Sequence, residues 1–255
     1  MRVYLIILVC FVFTGLVSAQ EDELTPYEVA LERIAEVEAN DGSELYLSNL
    51  GLTELPSEIG NLWNLQYLYL NNNLLINLPS EIGNLHNLRR LETLNNQLSE
   101  LPSEIGSLQN LEYLYLDNNQ LSHLPSEIGN LHKLEVLHLF NSQIEELPAE
   151  IGQLEMLCSL DIRNNQVRSL PNELGRIRRL TPGAWDCNLY IEGNPLVSPP
   201  DEVLEQGTEA ILAYLRNQAW WHLQRMMVSI AGGIGLIAVA ILGLRWRNRR
   251  GKRDD

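Results

Sequence analysis

Three side chains that could act together in acid–base chemistry recur at a fixed interval: Tyr115, His138 and Asp161, each 23 residues after the last. A phenol, an imidazole and a carboxylate in one row could pass a proton between them, as a hydrolase-like site requires. Asp117 and Arg163 follow two positions after the first and the last of them. The sequence contains no nucleophile motif, no glycine-rich phosphate loop and no His/Cys cluster with metal-ligand spacing. We therefore expect no enzyme, no metal and no cofactor.

The interval of 23 residues is the period of a repeated motif. Residues Leu111–Pro125 read LEYLYLDNNQLSHLP, in which the apolar residues and one asparagine follow the spacing LxxLxLxxNxLxxLP. The same spacing occupies four further segments: Leu65–Pro79, Leu88–Pro102, Leu134–Pro148 and Leu157–Pro171. A constant period of this length predicts a solenoid, in which each unit contacts only its neighbours.

The motif resembles the leucine-rich repeat family, in particular the bacterial, Roco-type and Ras-group members whose units carry LPxxIGxLxxL between the strand motifs. The resemblance covers about Gly42–Pro200. It implies an α/β solenoid, a horseshoe with a parallel concave sheet and helical caps at both ends. It also implies a ladder of buried amides at Asn73, Asn96, Asn119, Asn165 and Asn194, which Ser142 interrupts.

The residues between the inward leucines should point out of the concave face, because side chains alternate along a strand. Six of the nine tyrosines fall at these positions. Tyrosine supplies large, rigid contact area with a polar tip, which favours a binding surface, although strand propensity is an alternative explanation. The candidate ligand-binding residues are Tyr46, Tyr67, Tyr69, Arg90, Glu92, Tyr113, Tyr115, Asp117, His138, Phe140, Asp161, Arg163 and Tyr190.

The segments on either side of the repeats should close the ends of the solenoid. Residues 20–41 form the expected N-terminal cap, where Thr25, Pro26 and Glu28 predict a helix start with a capping box. About seven repeat units should occupy 42–200, with an insertion at 181–187 that breaks the period. Residues 201–225 should form the C-terminal cap and a juxtamembrane segment.

Two cysteines stand at related positions. If Asp186 replaces the missing first leucine of the last unit, Cys158 and Cys187 each lie one position after it in successive units. Neighbouring strands lie about 4.8 Å apart, within the Cα separation that a disulfide tolerates. The sequence leaves two possibilities open, a disulfide or two unrelated small residues.

The two ends of the sequence indicate a membrane protein. Residues 1–19 predict a secretory signal peptide, with an uncleaved anchor as the alternative. Residues 226–244 carry no charge and predict a transmembrane helix, with a buried core helix as the alternative. The basic segment 245–255 should remain in the cytoplasm. We therefore expect a single-pass type I protein of the plasma membrane, with the repeats outside the cell.

The expected function is recognition of a protein or peptide through the concave face. The formal net charge of −15 argues against nucleic acid as a partner. The short tail would need a membrane partner subunit to signal inward. A passive spacer in the cell envelope and, more remotely, a hydrolase-like site at Tyr115, His138 and Asp161 are the alternatives.

Overall fold

A seven-stranded parallel sheet forms one face of the molecule. The structure is a computed structural model that describes residues 24–180 and 187–218. The strands pair in sequential order, and each residue lies beside its equivalent in the next unit. They are β1 Glu44–Tyr46, β2 Tyr67–Tyr69, β3 Arg90–Glu92, β4 Tyr113–Tyr115, β5 Val136–His138, β6 Ser159–Asp161 and β7 Asn188–Tyr190. The parallel pairing in sequential order confirms the predicted solenoid.

Short 3₁₀ helices form the opposite side of each unit. The six of them within the described residues are Ser57–Asn61, Ser80–Asn84, Ser103–Ser107, Ser126–Asn130, Ala149–Gln153 and Asn172–Arg176. Their glycine permits the close approach of neighbouring units: a Cβ added at Gly106 would lie 2.6 Å from the carbonyl oxygen of Glu127. Leucines and isoleucines fill the space between this side and the sheet, and Leu111, Leu114 and Ile128 are fully buried there.

A ladder of buried asparagine side chains joins each unit to its neighbours. Asn119 Oδ1 accepts a hydrogen bond from Leu98 N at 3.0 Å, and its Nδ2 donates to Thr93 O at 2.9 Å and Leu116 O at 2.8 Å. These bonds satisfy backbone groups at the tight turn that would otherwise be buried without partners. The ladder breaks at Ser142, whose hydroxyl is the one buried side-chain polar atom without a hydrogen-bond partner among the described residues.

Helices cover both ends of the array. Helix α1, Pro26–Ala39, begins with the capping box of Thr25 and Glu28, and it buries Ala30 and Ile34 against the first unit. At the other end a short helix α2, Asp201–Leu204, precedes a helical segment at 208–218. The second segment buries three apolar side chains that close the core, those of Ile211, Leu212 and Leu215.

A disulfide joins the last two units. Cys158 and Cys187 are bonded, with their Cα atoms 4.5 Å apart. The bond bridges residues 181–186, which belong to the predicted insertion and lie outside the described residues. Of the two possibilities that the sequence leaves open, the structure therefore contains the disulfide.

The predicted membrane-targeting segments lie outside the described residues. These are the signal peptide at 1–19, the transmembrane helix at 226–244 and the basic tail at 245–255. Within 24–180 and 187–218, no helix has both the length and the apolar character to cross a membrane.

Replacing Ser142 with asparagine should stabilise the protein. By analogy with Asn119, the new amide would accept from Leu121 N and donate to Leu116 O and Leu139 O. The free energy of unfolding should rise by about 1–2 kcal/mol, because an amide with hydrogen-bond partners would replace the buried Ser142 hydroxyl, which has none. Thermal denaturation of the wild type and of Ser142→Asn checks this.

The matched variant is Asn119→Ser, which creates the same gap one unit earlier and should lose a similar amount of stability. A lower melting temperature for Ser142→Asn would show that the turn of this unit cannot accept the amide.

Candidate functional site

The outward positions of the strands form continuous rows along the concave face. The sheet register places the equivalent residues of successive strands side by side. The first row runs Glu44, Tyr67, Arg90, Tyr113, Val136, Ser159, Asn188, and the second runs Tyr46, Tyr69, Glu92, Tyr115, His138, Asp161, Tyr190. The residues between the two rows are buried leucines, so the core does not need the tyrosines.

Two tyrosines stack at the N-terminal end of the second row. The rings of Tyr46 and Tyr69 are 4.8 Å apart between centroids and inclined by only 6°. The Tyr46 hydroxyl donates a hydrogen bond to the Glu44 carboxylate, and this bond raises the pKa of Tyr46 to about 12. Tyr46 keeps 55% of its surface exposed, which leaves its ring accessible from solvent.

Arg90 is the centre of a second group of contacts. Its Nε donates to Glu92 Oε1 at 2.5 Å, and its guanidinium carbon lies 4.8 Å from the Tyr115 ring centroid and 5.7 Å from that of Tyr113. Asn71 donates to the other oxygen of Glu92 at 2.6 Å. The sequence analysis did not include Asn71, since nothing in the repeat pattern shows that its amide reaches the neighbouring strand.

Arg163 repeats this arrangement near the C-terminal end. Its Nε donates to Asp161 Oδ1 at 3.0 Å, and the hydrogen bonds to this carboxylate raise the pKa of Arg163. The guanidinium carbon lies 5.5 Å from the Phe140 ring centroid and 4.9 Å from that of Tyr190. Asp161 is only 3% exposed beneath this cation.

The row that could do acid–base chemistry does not form a proton relay. Tyr115 and His138 meet ring edge to ring face, with centroids 5.1 Å apart. His138 Nε2 lies 3.2 Å from Ser159 Oγ, and the Asp161 carboxylate binds Arg163. The three residues are therefore neighbours in register, but the polar groups of His138 and Asp161 contact other partners. Nor do the described residues contain a group of three or more His, Cys, Asp or Glu side chains placed to hold a metal.

Asp117 lies beneath the face and has a structural contact. Its Oδ1 accepts a hydrogen bond from Phe140 N at 2.7 Å in the next unit, and the residue is 9% exposed. Burial raises the pKa of Asp117 overall; the hydrogen bond from Phe140 N and the charges of His138 and Arg163 oppose this shift, and the charge of Asp161 adds to it. Little of this carboxylate is available to a ligand.

A second asparagine ladder borders the face. Asn49, Asn72, Asn95, Asn118, Asn141 and Asn164 all have positive φ angles, between 54° and 62°, a region that asparagine tolerates better than most residues. From Asn49 to Asn141 each side chain bonds to the next in the row, as Asn95 Nδ2 does to Asn72 Oδ1 at 2.6 Å. The sequence analysis missed this row, although the recurring Asn-Asn pairs, such as Asn118-Asn119, are a signal that could have found it.

The comparisons with known proteins agree with this geometry. A family model for a leucine-rich repeat region matches residues 80–143 and 126–182, and a leucine-rich repeat model matches residues 64–85. The chain is a leucine-rich repeat protein. No curated protein matches it significantly.

Several solved structures are similar to the chain. The PEPR1–AtPEP1 structure is 31% identical with a TM-score of 0.54, over 60% of this chain and 22% of that one. An internalin (inlF) of Listeria monocytogenes is 25% identical with a TM-score of 0.53, over 60% and 42%. The ectodomain of the plant membrane receptor kinase GASSHO1/SCHENGEN3 of Arabidopsis thaliana, in complex with CASPARIAN STRIP INTEGRITY FACTOR 2, is 32% identical with a TM-score of 0.49, over 55% and 17%. The chain thus spans less than half the length of each of these structures.

Replacing Asp117 with asparagine should stabilise the protein at neutral pH. Because burial raises the folded-state pKa of Asp117, the ionised carboxylate costs stability above that pKa. An asparagine cannot ionise, and its Oδ1 can still accept from Phe140 N. The melting temperature of Asp117→Asn should therefore exceed that of the wild type at about pH 7, and the difference should vanish near pH 3, below the ordinary pKa of aspartate.

Glu100→Gln removes a charge from an exposed position and serves as the control, with little change in melting temperature expected. If Asp117→Asn lowers the melting temperature at neutral pH, the folded protein requires the ionised carboxylate.

Proposed function

We propose that this protein binds a protein or peptide partner through the concave face of its repeats. One observation supports the proposal above all: the outward rows carry six tyrosines that the leucine core does not require. Aromatic side chains with a polar tip are the residues that binding surfaces favour.

The contacts within the face support the same proposal, because they hold the rings in place before a partner arrives. Tyr46 stacks on Tyr69, and the guanidinium of Arg90 lies against Tyr113 and Tyr115. Side chains that are already ordered lose less conformational entropy on binding. The similar PEPR1 structure was solved together with AtPEP1, which is consistent with a partner of this kind.

The proposed setting is the cell surface. In this proposal the signal peptide at 1–19 directs export, 20–41 and 201–225 cap the repeats, and the helix at 226–244 anchors them outside the plasma membrane. The disulfide between Cys158 and Cys187 fits an oxidising compartment. The short basic tail leaves signalling to a membrane partner subunit.

Replacing Tyr67, Tyr69, Tyr113 and Tyr115 together by serine should abolish partner capture. The tagged full chain would be cross-linked in its native membrane, and the captured proteins would be compared between the wild type and the quadruple variant. The amount of the specific partner captured should fall at least about tenfold in the variant, because truncating even one tyrosine that acts as a hot spot costs about 2 kcal/mol or more. The melting temperature should change little, since none of the four rings lies in the core.

The control is a variant with four serines at exposed glutamines of the loops that leave the sheet: Gln97, Gln120, Gln143 and Gln166. It should retain the partner. Equal capture by the wild type and both variants would contradict a concave site, and the absence of any specific partner would favour a passive spacer.

A further inference from the structure

The concave face binds its own two arginines in the same way. Each guanidinium bonds to a carboxylate two residues away in the same repeat unit and lies within 6 Å of two aromatic ring centroids. Arg90 uses Glu92, Tyr113 and Tyr115, and Arg163 uses Asp161, Phe140 and Tyr190. The sheet register assembles these sets, since the rings come from neighbouring repeat units.

A third set of the same composition lies at the N-terminal end, and it lacks the cation. Glu44 supplies a carboxylate, Tyr46 two residues later supplies one ring, and β2 adds Tyr69 in a stack and Tyr67 beside Glu44 in the register. Glu44 is exposed, and among the described residues its carboxylate forms no ion pair. Its hydrogen bond comes from the Tyr46 hydroxyl.

Arg33 of α1 contacts β1, but it does not supply the cation that the third set lacks. Its Nη1 donates to the backbone carbonyl oxygen of Tyr46 at 2.7 Å. The guanidinium groups of Arg90 and Arg163 lie on the rings of Tyr113, Tyr115, Phe140 and Tyr190, and among the described residues none lies on the ring of Tyr46.

We propose that Glu44, Tyr46, Tyr67 and Tyr69 form a site for an arginine side chain of the partner polypeptide. The guanidinium would bond to the Glu44 carboxylate and lie against the exposed ring of Tyr46, as Arg90 does within its own set. Guanidinium groups suit both interactions, since they pair with carboxylates through directed N–H groups and stack on aromatic rings.

The charge of the face agrees with an arginine. The two rows, together with the positions two residues after the second row, contain two guanidinium groups and five carboxylates, those of Glu44, Glu92, Asp117, Asp161 and Glu192. Because Glu92 and Asp161 already neutralise Arg90 and Arg163, the face offers no unpaired cation to an anionic partner. Complementary charge also favours a basic segment during encounter with this acidic protein.

This inference rests on the proposed function, and its test does not require the natural partner. The probe is the blocked heptapeptide GSGRGSG, and the comparison peptide carries citrulline, a neutral isostere, in place of arginine. Binding to the full chain would be measured by saturation-transfer NMR in about 0.15 M salt, which screens exposed charges beyond about 8 Å. We expect saturable binding of the arginine peptide, at least about fivefold tighter than that of the citrulline peptide.

Variants of Glu44 and Tyr46 test whether the arginine peptide binds at the proposed site. Glu44→Gln and Tyr46→Ala should each weaken the arginine peptide about fivefold or more, whereas Tyr46→Phe keeps the ring and should retain it. Glu104→Gln removes the same charge from an exposed position on the convex side and should have no effect. Equal affinity for both peptides, or unchanged affinity in Glu44→Gln, overturns the site. If the site fails while the four-tyrosine variant still loses its partner, the proposed function stands without it.

Discussion

The fold depends on a buried amide that a unit supplies to the unit before it, with Ser142 as the exception along the ladder. Asn96 Oδ1 accepts from Leu75 N at 3.1 Å, and its Nδ2 donates to Leu70 O at 2.9 Å and Thr93 O at 3.1 Å. Within the described residues, each of these turns except the one that faces Ser142 donates a backbone N–H to the amide of the next unit. Because these bonds fix the offset between units, they also fix the register of the sheet. The constant spacing of the leucines is therefore a requirement of hydrogen bonding as much as of core packing.

The strict register determines the chemistry of the concave face. Residues that are 23 positions apart become lateral neighbours, so Arg90 meets Tyr113 without any adjustment of the backbone. Each candidate side chain consequently belongs to a local set whose members come from two or three units. In the same geometry Asp161 bonds to Arg163 of its own unit, and His138 lies within hydrogen-bond distance of Ser159. These preferences make the face a preformed surface of rings and paired charges, which suits recognition better than proton transfer.

The sequence predicts the backbone of this protein far better than the contacts of its side chains. Leucine and asparagine spacing predicts the parallel sheet and the buried ladder, because both follow from position within the repeat. Spacing also predicts that Tyr115 and His138 are neighbours, but it cannot predict whether their polar atoms meet. The burial of Asp117 depends on the amide of Phe140 in the next unit, a contact that involves side-chain conformation. The sequence could not decide whether the disulfide forms, since an insertion obscures the position of Cys187 in the repeat.

The insertion shows which features the solenoid must keep. Asn194 follows its equivalent, Asn165, after 29 residues instead of 23, yet its Oδ1 still accepts from Val167 N at 3.0 Å and its Nδ2 donates to Ile162 O at 2.7 Å. The extra residues therefore leave the ladder unchanged, and the disulfide bridges the point where they occur. Since the framework needs only its leucines, glycines and buried amides at fixed offsets, the outward positions are free to carry binding chemistry. Tyr113 and Tyr115 occupy two of those free positions, and for this reason their presence indicates function more strongly than the repeat that holds them.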